Sequence, residues 1–212
     1  HYGVMPVSAY PDKLYKMLVS LSYSRSKQPE IVILTPGIYN SAYYEHSYLA
    51  KQMGIDLVQG EDLVVLKDKY VYKKTIEGLI RVDVIYRRID DDFLDPSVGN
   101  KDSVLGVEGL IDSWRNKKVS IINAPGCGIA DDKAVYAYVP EMIRYYLKEK
   151  PLLNNLETLL MTKKENRRLV EENFKEFVIK PVAESGGYGI VIGKSASKAE
   201  KDNRPIPHLW IG

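Results

Sequence analysis

The stretch Ile31-Val-Ile-Leu-Thr-Pro-Gly37 decides the fold of this 212-residue chain, because it reads as a short buried strand closed by a sharp turn. The next segment, from about Ala42 to Met53, has the length and apolar spacing of a helix, and Gly54 is expected to end it. Ile55–Val58 then has the composition of a second strand. Strand, helix and strand of these lengths are typical of a βαβ unit, which predicts a parallel sheet covered by helices.

Outward from this unit the sequence predicts further strands and helices. Asn40 or Ser41 is expected to cap the helix of the βαβ unit. The upstream and central predictions are a helix over Pro11–Ser22, a hairpin over Asp62–Tyr72, a strand over Arg81–Arg88, a short helix over Gly106–Trp114 and a strand over Val119–Asn123. The downstream predictions are a helix over Asp132–Leu147 capped by Asp131, a linker over Lys148–Asn155, a charged helix over Lys163–Asn173, and strands over Phe177–Val182 and Ile190–Gly193. The predicted fold class is therefore α/β, with a smaller α+β piece at the end.

Composition and charge exclude several classes of function. Lys and Arg total 30 against 28 for Asp and Glu, so the net charge of +2 argues against a nucleic-acid or anionic-membrane partner. No apolar run approaches the roughly 20 residues that span a bilayer. The single cysteine, Cys127, cannot form an internal disulfide, which favours a reducing compartment and hence the cytoplasm. The oligomeric state stays open.

The strongest local signal is a lysine followed by a glycine-rich loop. Lys180 interrupts an apolar strand, and Ser185-Gly-Gly-Tyr-Gly189 follows it. Exposed backbone N–H groups beside a lysine suit a phosphate, whereas the alternative is a plain hairpin whose lysine reaches solvent. Gly193-Lys-Ser195 is not a P-loop, because the residues before it read as a strand.

A second signal is Lys133 at the start of the helix predicted from Asp132. A cation in the first helical turn is mildly unfavourable, and a bound phosphate would explain it. Pairing with Asp131 or Asp132 would also explain it, and taken alone this signal favours the pairing.

A third signal is the charged run Arg87-Arg-Ile-Asp-Asp-Asp92 at the end of an apolar strand. Arg87 or Arg88 is suited to grip a carboxylate or phosphate through two parallel hydrogen bonds. Asp90, Asp91 and Asp92 are suited to a hydrated Mg²⁺. The alternative is a surface cluster that neutralises itself.

The three histidines are far apart, so the sequence does not support a zinc site. His46 is a candidate general acid or base, with packing as the alternative. Cys127 lies between two glycines beside a helix start and is a candidate nucleophile, but no histidine is near it in sequence.

Together these segments resemble the circularly permuted ATP-grasp proteins related to glutathionylspermidine synthase. The resemblance is carried, in the family's order, by Leu34–His46, Arg81–Pro96, Asn123–Tyr136, Val139–Tyr146 and Lys180–Gly193. It implies a Rossmann-like pre-ATP-grasp domain over 1–130 and a small ATP-grasp subdomain with its phosphate loop over 131–212. It also implies that the chain is an internal fragment, truncated within that subdomain and inactive alone.

The resemblance further implies ATP and Mg²⁺ as cofactors, with metal ligands that stay unassigned. Nucleotide phosphates would contact Lys133 and Lys180 and the loop residues Ser185, Gly186, Gly187, Tyr188 and Gly189. Family chemistry is the activation of a carboxylate to an acyl phosphate, which an amine or peptide amine attacks to give an amide. Catalytic or substrate-crevice roles would fall to Arg87, Arg88, Asp90 and Asp91. The alternative is a non-catalytic module that binds a nucleotide or a partner.

Overall fold

The computed structural model describes residues 3, 6–24, 26–183 and 189–197, together with the backbone of residues 210 and 211. The chain divides into two compact units, residues 1–127 (unit 1) and 128–212 (unit 2). Each unit has its own sheets and its own apolar core. The two are therefore described separately.

Unit 1 contains four helices and seven strands among its described residues. In chain order they are α1 (Tyr10–Ser20), β1 (Ile31–Leu34), α2 (Tyr43–Met53), β2 (Asp56–Val58), β3 (Leu63–Val65), β4 (Val71–Thr75), β5 (Gly78–Val82), β6 (Val84–Arg87), α3 (Asp91–Leu94), α4 (Leu110–Arg115) and β7 (Ser120–Ile122). Strands β2, β1, β6 and β7 form, in that order, a sheet whose neighbouring strands are all parallel. Strands β3, β4 and β5 form a separate antiparallel sheet.

The βαβ unit predicted from Ile31–Val58 is confirmed. β1 and β2 pair in parallel, and α2 connects them. Gly54 ends α2 as predicted, because its φ of 66° is one that glycine adopts at little cost. The predicted caps are wrong: Ala42 is the N-cap residue and makes no side-chain bond, while the Asn40 side chain accepts from the Ala42 amide one step earlier.

The single strand predicted over Arg81–Arg88 is wrong, because Asp83 divides it into β5 and β6. The buried Asp83 carboxylate accepts hydrogen bonds from the Arg81 guanidinium at 2.7 Å and from the Glu30 amide at 3.0 Å. β5 belongs to the antiparallel sheet and β6 to the parallel one. The alternation of apolar and polar residues over Arg81–Arg88 therefore continues across two strands that belong to different sheets, and Asp83 lies between them.

Other boundaries differ less. The hairpin predicted over Asp62–Tyr72 is confirmed as β3 and β4, and β5 adds a third strand to it. The helix predicted from Gly106 begins only at Leu110, since Gly109 has a φ of 80° that a helix does not accommodate.

The parallel sheet separates two apolar layers. The four residues of β1 alternate between them, as side chains of a strand must. Ile31 and Ile33 face α1 and α2 with Val84 and Tyr86 of β6, whereas Val32 and Leu34 face α4 and the antiparallel sheet. A strand buried on both faces is typical of a parallel sheet covered on both sides.

Unit 2 contains helices and a small antiparallel sheet. Its elements are α5 (Lys133–Met142), a π-helical turn (Ile143–Leu147), α6 (Lys164–Glu172), β8 (Val178–Pro181), β9 (Val191–Ile192) and β10 (Trp210–Ile211), and its strand order is β10, β8, β9. The helix predicted over Asp132–Leu147 is confirmed. Its cap is Asp132, which accepts from the Ala134 amide at 2.7 Å, and not Asp131, which ends a 3₁₀ turn.

The whole arrangement confirms the predicted α/β class, with a parallel sheet and antiparallel sheets in one chain. None of the helices in the described ranges is long and apolar enough to cross a membrane.

Candidate functional site

The parallel sheet of unit 1 has a topological switch point between β1 and β6. From β1 the chain moves to β2 on one side, and from β6 it moves to β7 on the other. The loops that leave the carboxyl ends of these two adjacent strands therefore diverge. Ligands of open α/β sheets bind in the crevice that such divergence creates.

Five residues gather at this switch point, and we call them the switch-point cluster: Thr35, Glu45, His46, Tyr86 and Arg88. Thr35 follows β1, Arg88 follows β6, and the Arg88 amide donates to the Leu34 carbonyl at 2.8 Å. Glu45 and His46 come from the first turn of α2. The cluster therefore unites residues that are more than 50 positions apart in the chain.

Arg88 is held from two sides within the switch-point cluster. Its Nη1 donates to the Tyr86 hydroxyl at 3.1 Å, and its Nη2 lies 2.7 Å from Glu45 Oε1. The Arg88 side chain is 25% exposed and that of Glu45 is 53% exposed. The aromatic contact thus lies on the protein side of the guanidinium, while the carboxylate is on the solvent side.

His46 is 2% exposed and bonds through Nδ1 to Thr35 Oγ1 at 2.9 Å. Thr35 Oγ1 also accepts from the Gly37 amide, at 3.2 Å. Among the described residues the threonine hydroxyl has no other acceptor than His46 Nδ1, so we assign its hydrogen to that bond. His46 is then neutral, with its proton on Nε2.

The surroundings of His46 support the neutral form. Burial lowers its pKa, and the nearby Arg88 charge lowers it further, while Glu45 acts in the opposite direction with a smaller effect. Nε2 of His46 bonds to none of the described residues. Every side-chain nitrogen that is fully buried in the described part of the chain does have a partner, so Nε2 is not fully buried and reaches solvent. His46 consequently presents one N–H donor at the switch point.

Arg87, next in sequence to Arg88, has a different environment, which we call the loop-side cluster: Arg87, Asp91, Cys127 and the backbone of residues 123–126. The Arg87 side chain is only 8% exposed. It donates to the carbonyls of Asn123, Ile89 and Ala124 at 2.7, 2.6 and 3.3 Å and lies 2.7 Å from Asp91 Oδ1. All three of its nitrogens are thus occupied by the protein itself.

Cys127 and Asp91 complete the loop-side cluster. Arg87 Nη2 lies 3.6 Å from Cys127 Sγ, and the Gly126 amide donates to Asp91 Oδ1 at 3.2 Å. These bonds tie the turn after β7 to the end of β6. The sequence did not indicate that Cys127 and Arg87 would meet.

Asp90 and Asp92 do not join either cluster. Asp90 is exposed and precedes α3 without capping it, and Asp92 is exposed within α3. In the part of the chain that the structure describes, no three His, Cys, Asp or Glu side chains are grouped so as to hold a metal ion. The idea that Asp90, Asp91 and Asp92 together approach Mg²⁺ is therefore not supported by their placement.

Asp95 is a buried acidic residue that no pattern in the sequence singled out as important. Burial by itself would raise its pKa, but hydrogen bonds from Ser97 and from the amides of Ile111, Ser97 and Gly109 outweigh this, and the pKa is lowered. The signal in the sequence was Asp95-Pro-Ser97, a typical turn motif. Through its bonds to the amides of Gly109 and Ile111, Asp95 holds the start of α4.

In unit 2 the structure brings Lys133 to the end of the strand that carries Lys180. The Lys133 amide and its Nζ lie 3.2 and 3.5 Å from the carbonyl oxygen of Val182, the residue that follows β8 by one position. Lys180 lies within β8, paired with residue 211, and is half-buried. Helix start and strand end therefore converge.

The glycine-rich loop begins just beyond this point. Ser185, Gly186, Gly187 and Tyr188 lie outside the described residues. Gly189 is described: its φ is 73°, and a Cβ there would lie 2.7 Å from the Pro181 side chain, so the chain must be free of a side chain where the loop rejoins the sheet. The hairpin formed by β8 and β9 confirms that a strand follows the glycines, which excludes a P-loop at Gly193.

A groove of about 650 Å³ on the surface of unit 2 was not anticipated. It is lined by Tyr138, Glu141, Met142, Arg144, Tyr145, Tyr146 and Lys148. α5 contributes no buried residue. The aromatic side chains of α5 therefore lie outside the apolar core of unit 2.

Comparison with known proteins gives one family. The family described as circularly permuted ATP-grasp type 2 matches residues 1–205. An uncharacterized protein of Synechocystis sp. is 53% identical over 198 residues, which are 93% of this chain and 41% of that protein. An uncharacterized protein of Mycobacterium tuberculosis is 50% identical over 215 residues, covering 99% of this chain and 39% of that protein.

A more distant relative carries a functional name. A protein of Frankia casuarinae named "Putative glutamate--cysteine ligase 2-2" is 38% identical over 216 residues, which cover 99% of this chain and 25% of that protein. The chain thus matches about two fifths of the length of the first two relatives and a quarter of the length of the third.

Proposed function

The chain belongs to the circularly permuted ATP-grasp type 2 family, and we propose that its protein is an ATP-dependent carboxylate–amine ligase. The observation that carries the proposal is the approach of Lys133, at the start of α5, to the end of the strand that bears Lys180. The Frankia relative's name, a ligase of glutamate and cysteine, supports the same reaction class. We take an amino acid or peptide as the acid and an amine as its partner, and we propose that the protein is cytoplasmic.

The residues of unit 2 fit a nucleotide polyphosphate. Two ammonium side chains come from separate segments that meet at Val182, and a segment with three glycines, residues 184–189, follows directly. Backbone N–H groups of such a segment and lysine side chains are the usual partners of phosphate oxygens. We propose that Lys133, Lys180 and residues 185–189 hold ATP.

The chemistry that ATP supplies is the conversion of a carboxylate into an acyl phosphate, which an amine then attacks. In this step the chain's own contribution is electrostatic: the two lysines stabilise negative charge on the phosphate oxygens and fix their position. Mg²⁺ is proposed as the accompanying cation on the basis of the family, with ligands unassigned.

The experiment is ADP formation by the protein at its natural full length, measured with and without L-glutamate and a set of amines including L-cysteine. We expect ADP to depend on both an acid and an amine. Lys133→Ala and Lys180→Ala should each reduce the rate about 10²-fold, since each removes a charge that opposes developing negative charge. Activity that is unchanged in Lys180→Ala would overturn the proposal.

The matched control is Lys194→Ala, since Lys194 is an exposed lysine just after β9. This variant should retain full activity. If ADP binds to the protein but no acid and amine pair stimulates its formation, the second function, a nucleotide-binding module without turnover, replaces the ligase. A thermal shift with ADP measures the binding, because ligand at 100 times its Kd adds about 2.7 kcal/mol to stability, and the dependence of ADP formation on an acid and an amine separates the two functions.

A further inference from the structure

We propose that the switch-point cluster of unit 1 is a binding site for a carboxylate group, held between the Arg88 guanidinium and the Nε2–H of neutral His46. The proposal rests on the proposed function in one respect: it makes this carboxylate a group of the acid substrate. The binding itself requires no nucleotide, so it can be tested independently.

Arg88 already accommodates a carboxylate, which shows that its outer face suits one. Glu45 occupies Nη2 at 2.7 Å from the more exposed side. Tyr86 fixes the guanidinium from below, through its hydroxyl at 3.1 Å and through its ring, whose centre is 5.8 Å from the guanidinium carbon. An incoming carboxylate can therefore displace the Glu45 side chain while Arg88 remains in place.

His46 supplies the second donor. Its ring is almost completely buried, yet Nε2 reaches solvent and bonds to none of the described residues. The Thr35 hydroxyl bond to Nδ1 fixes both the orientation of the ring and the position of its proton. A buried ring that is held to present one N–H beside an arginine is suited to an anion and not to a cation.

The charges favour a carboxylate over a phosphate. Arg88 is the one cation that contacts the cluster among the described residues, Glu45 offsets part of its charge, and His46 is neutral. A monoanion with two acceptor oxygens matches the two donors, and once it displaces the Glu45 side chain from Nη2 it pairs with the single positive charge of Arg88. A phosphate dianion would retain an uncompensated charge next to Glu45.

The test is a titration of the nucleotide-free chain, labelled with ¹⁵N in its histidine and arginine side chains, at constant ionic strength. Sodium acetate, L-glutamate and inorganic phosphate are the probes. Acetate and L-glutamate should shift the His46 Nε2–H and Arg88 Nε–H signals in a saturable manner, whereas phosphate should bind at least several-fold more weakly. His46→Gln assigns the histidine signal.

Substitutions within the switch-point cluster should change the affinity for acetate in opposite directions. Arg88→Gln and His46→Leu should each weaken acetate binding about tenfold or more, because each removes one donor. His46→Gln should stay within about threefold of the parent, since the glutamine amide offers an N–H at a similar reach. Glu45→Gln should strengthen binding about three- to fivefold, because the internal competitor is gone.

The matched control is Arg168→Gln, which breaks an Arg–Glu pair of similar length, 2.8 Å, on the exposed surface of α6. It should leave acetate binding unchanged. Equal binding by the parent and the folded Arg88→Gln variant, or tighter binding of phosphate than of acetate, would overturn the proposal. If the protein forms ADP but does not bind carboxylates at this cluster, the carboxylate site is wrong and the ligase proposal stands. If it binds carboxylates but forms no ADP, the ligase proposal is wrong and the carboxylate site stands.

Discussion

Arg87 and Arg88 are adjacent in sequence but belong to two regions with opposite properties. The loop-side cluster around Arg87 is closed: the side chain is 8% exposed, and all three nitrogens bind protein atoms. The switch-point cluster around Arg88 is open on one side, where only an exposed glutamate covers the guanidinium. In the sequence alone, the two arginines are equivalent candidates for gripping an anion.

The difference follows from strand geometry. Alternate side chains of a strand face opposite sides of the sheet. Ile85 belongs to the layer beneath α4, and Tyr86 to the layer beneath α1 and α2. Arg87 therefore follows the first layer toward the turn after β7, and Arg88 follows the second toward α2. Identical side chains one residue apart thus acquire a structural role and a ligand-facing role.

The sharpest test of this comparison is the stability cost of Arg87→Gln. We expect it to lower the free energy of unfolding by about 3 kcal/mol, because it removes the cationic partner of Asp91 and the donor to the carbonyls of Asn123 and Ile89 in a mostly buried setting. Urea denaturation followed by circular dichroism measures this. A cost below that of Arg88→Gln would contradict the assignment of the loop-side cluster as structural.

A second test uses the pH dependence that His46 confers. Its pKa is lowered in the folded state, so below about pH 6.5 the unfolded chain binds a proton that the folded chain does not, and stability falls as the pH falls. The slope that His46 contributes is at most about 1.4 kcal/mol per pH unit, down to its folded pKa. Comparing urea midpoints at pH 7.5 and 5.5 for the parent and His46→Gln measures it.

The substitution His46→Gln should flatten this part of the profile, because glutamine does not titrate. An unchanged pH profile in the variant would mean that other groups, and not His46, carry the dependence.

The smallest expected effect is the stability cost of Arg88→Gln. A half-exposed ion pair contributes roughly 0.2–1 kcal/mol, so the folded chain should be nearly as stable as the parent. Such a variant would sharpen the comparison, since it would separate ligand binding from folding. If Arg88→Gln lowered the free energy of unfolding as much as Arg87→Gln does, both arginines would have a structural role.

Much of the fold could be predicted because its signals are local. The apolar strand Ile31–Leu34, the helix after it and the stop at Gly54 are each readable within a few residues, and the structure confirms them. The break at Asp83 was missed, because apolar alternation continues through it and one of the two partners that hold its carboxylate, the Glu30 amide, is 53 residues away in the chain.

The candidate site could be predicted only in part. His46, Arg87 and Arg88 were each identified as candidates, as were Lys133 and Lys180, from residue types that their local context does not explain. Thr35, Glu45 and Tyr86 carried no local signal. Their significance depends on contacts with His46 and Arg88, which the sequence does not state.

The sequence by itself determined the α/β class, the βαβ unit and the family, because periodicity, turn residues and motif order are properties of neighbouring positions. Only the tertiary structure decided which arginine is committed to the protein, which ring nitrogen of His46 bonds to Thr35, and which strand end Lys133 approaches. These depend on distances between segments that the order of strands in the sheet brings together. That order is set by packing across the whole sheet and not by any one stretch of the chain.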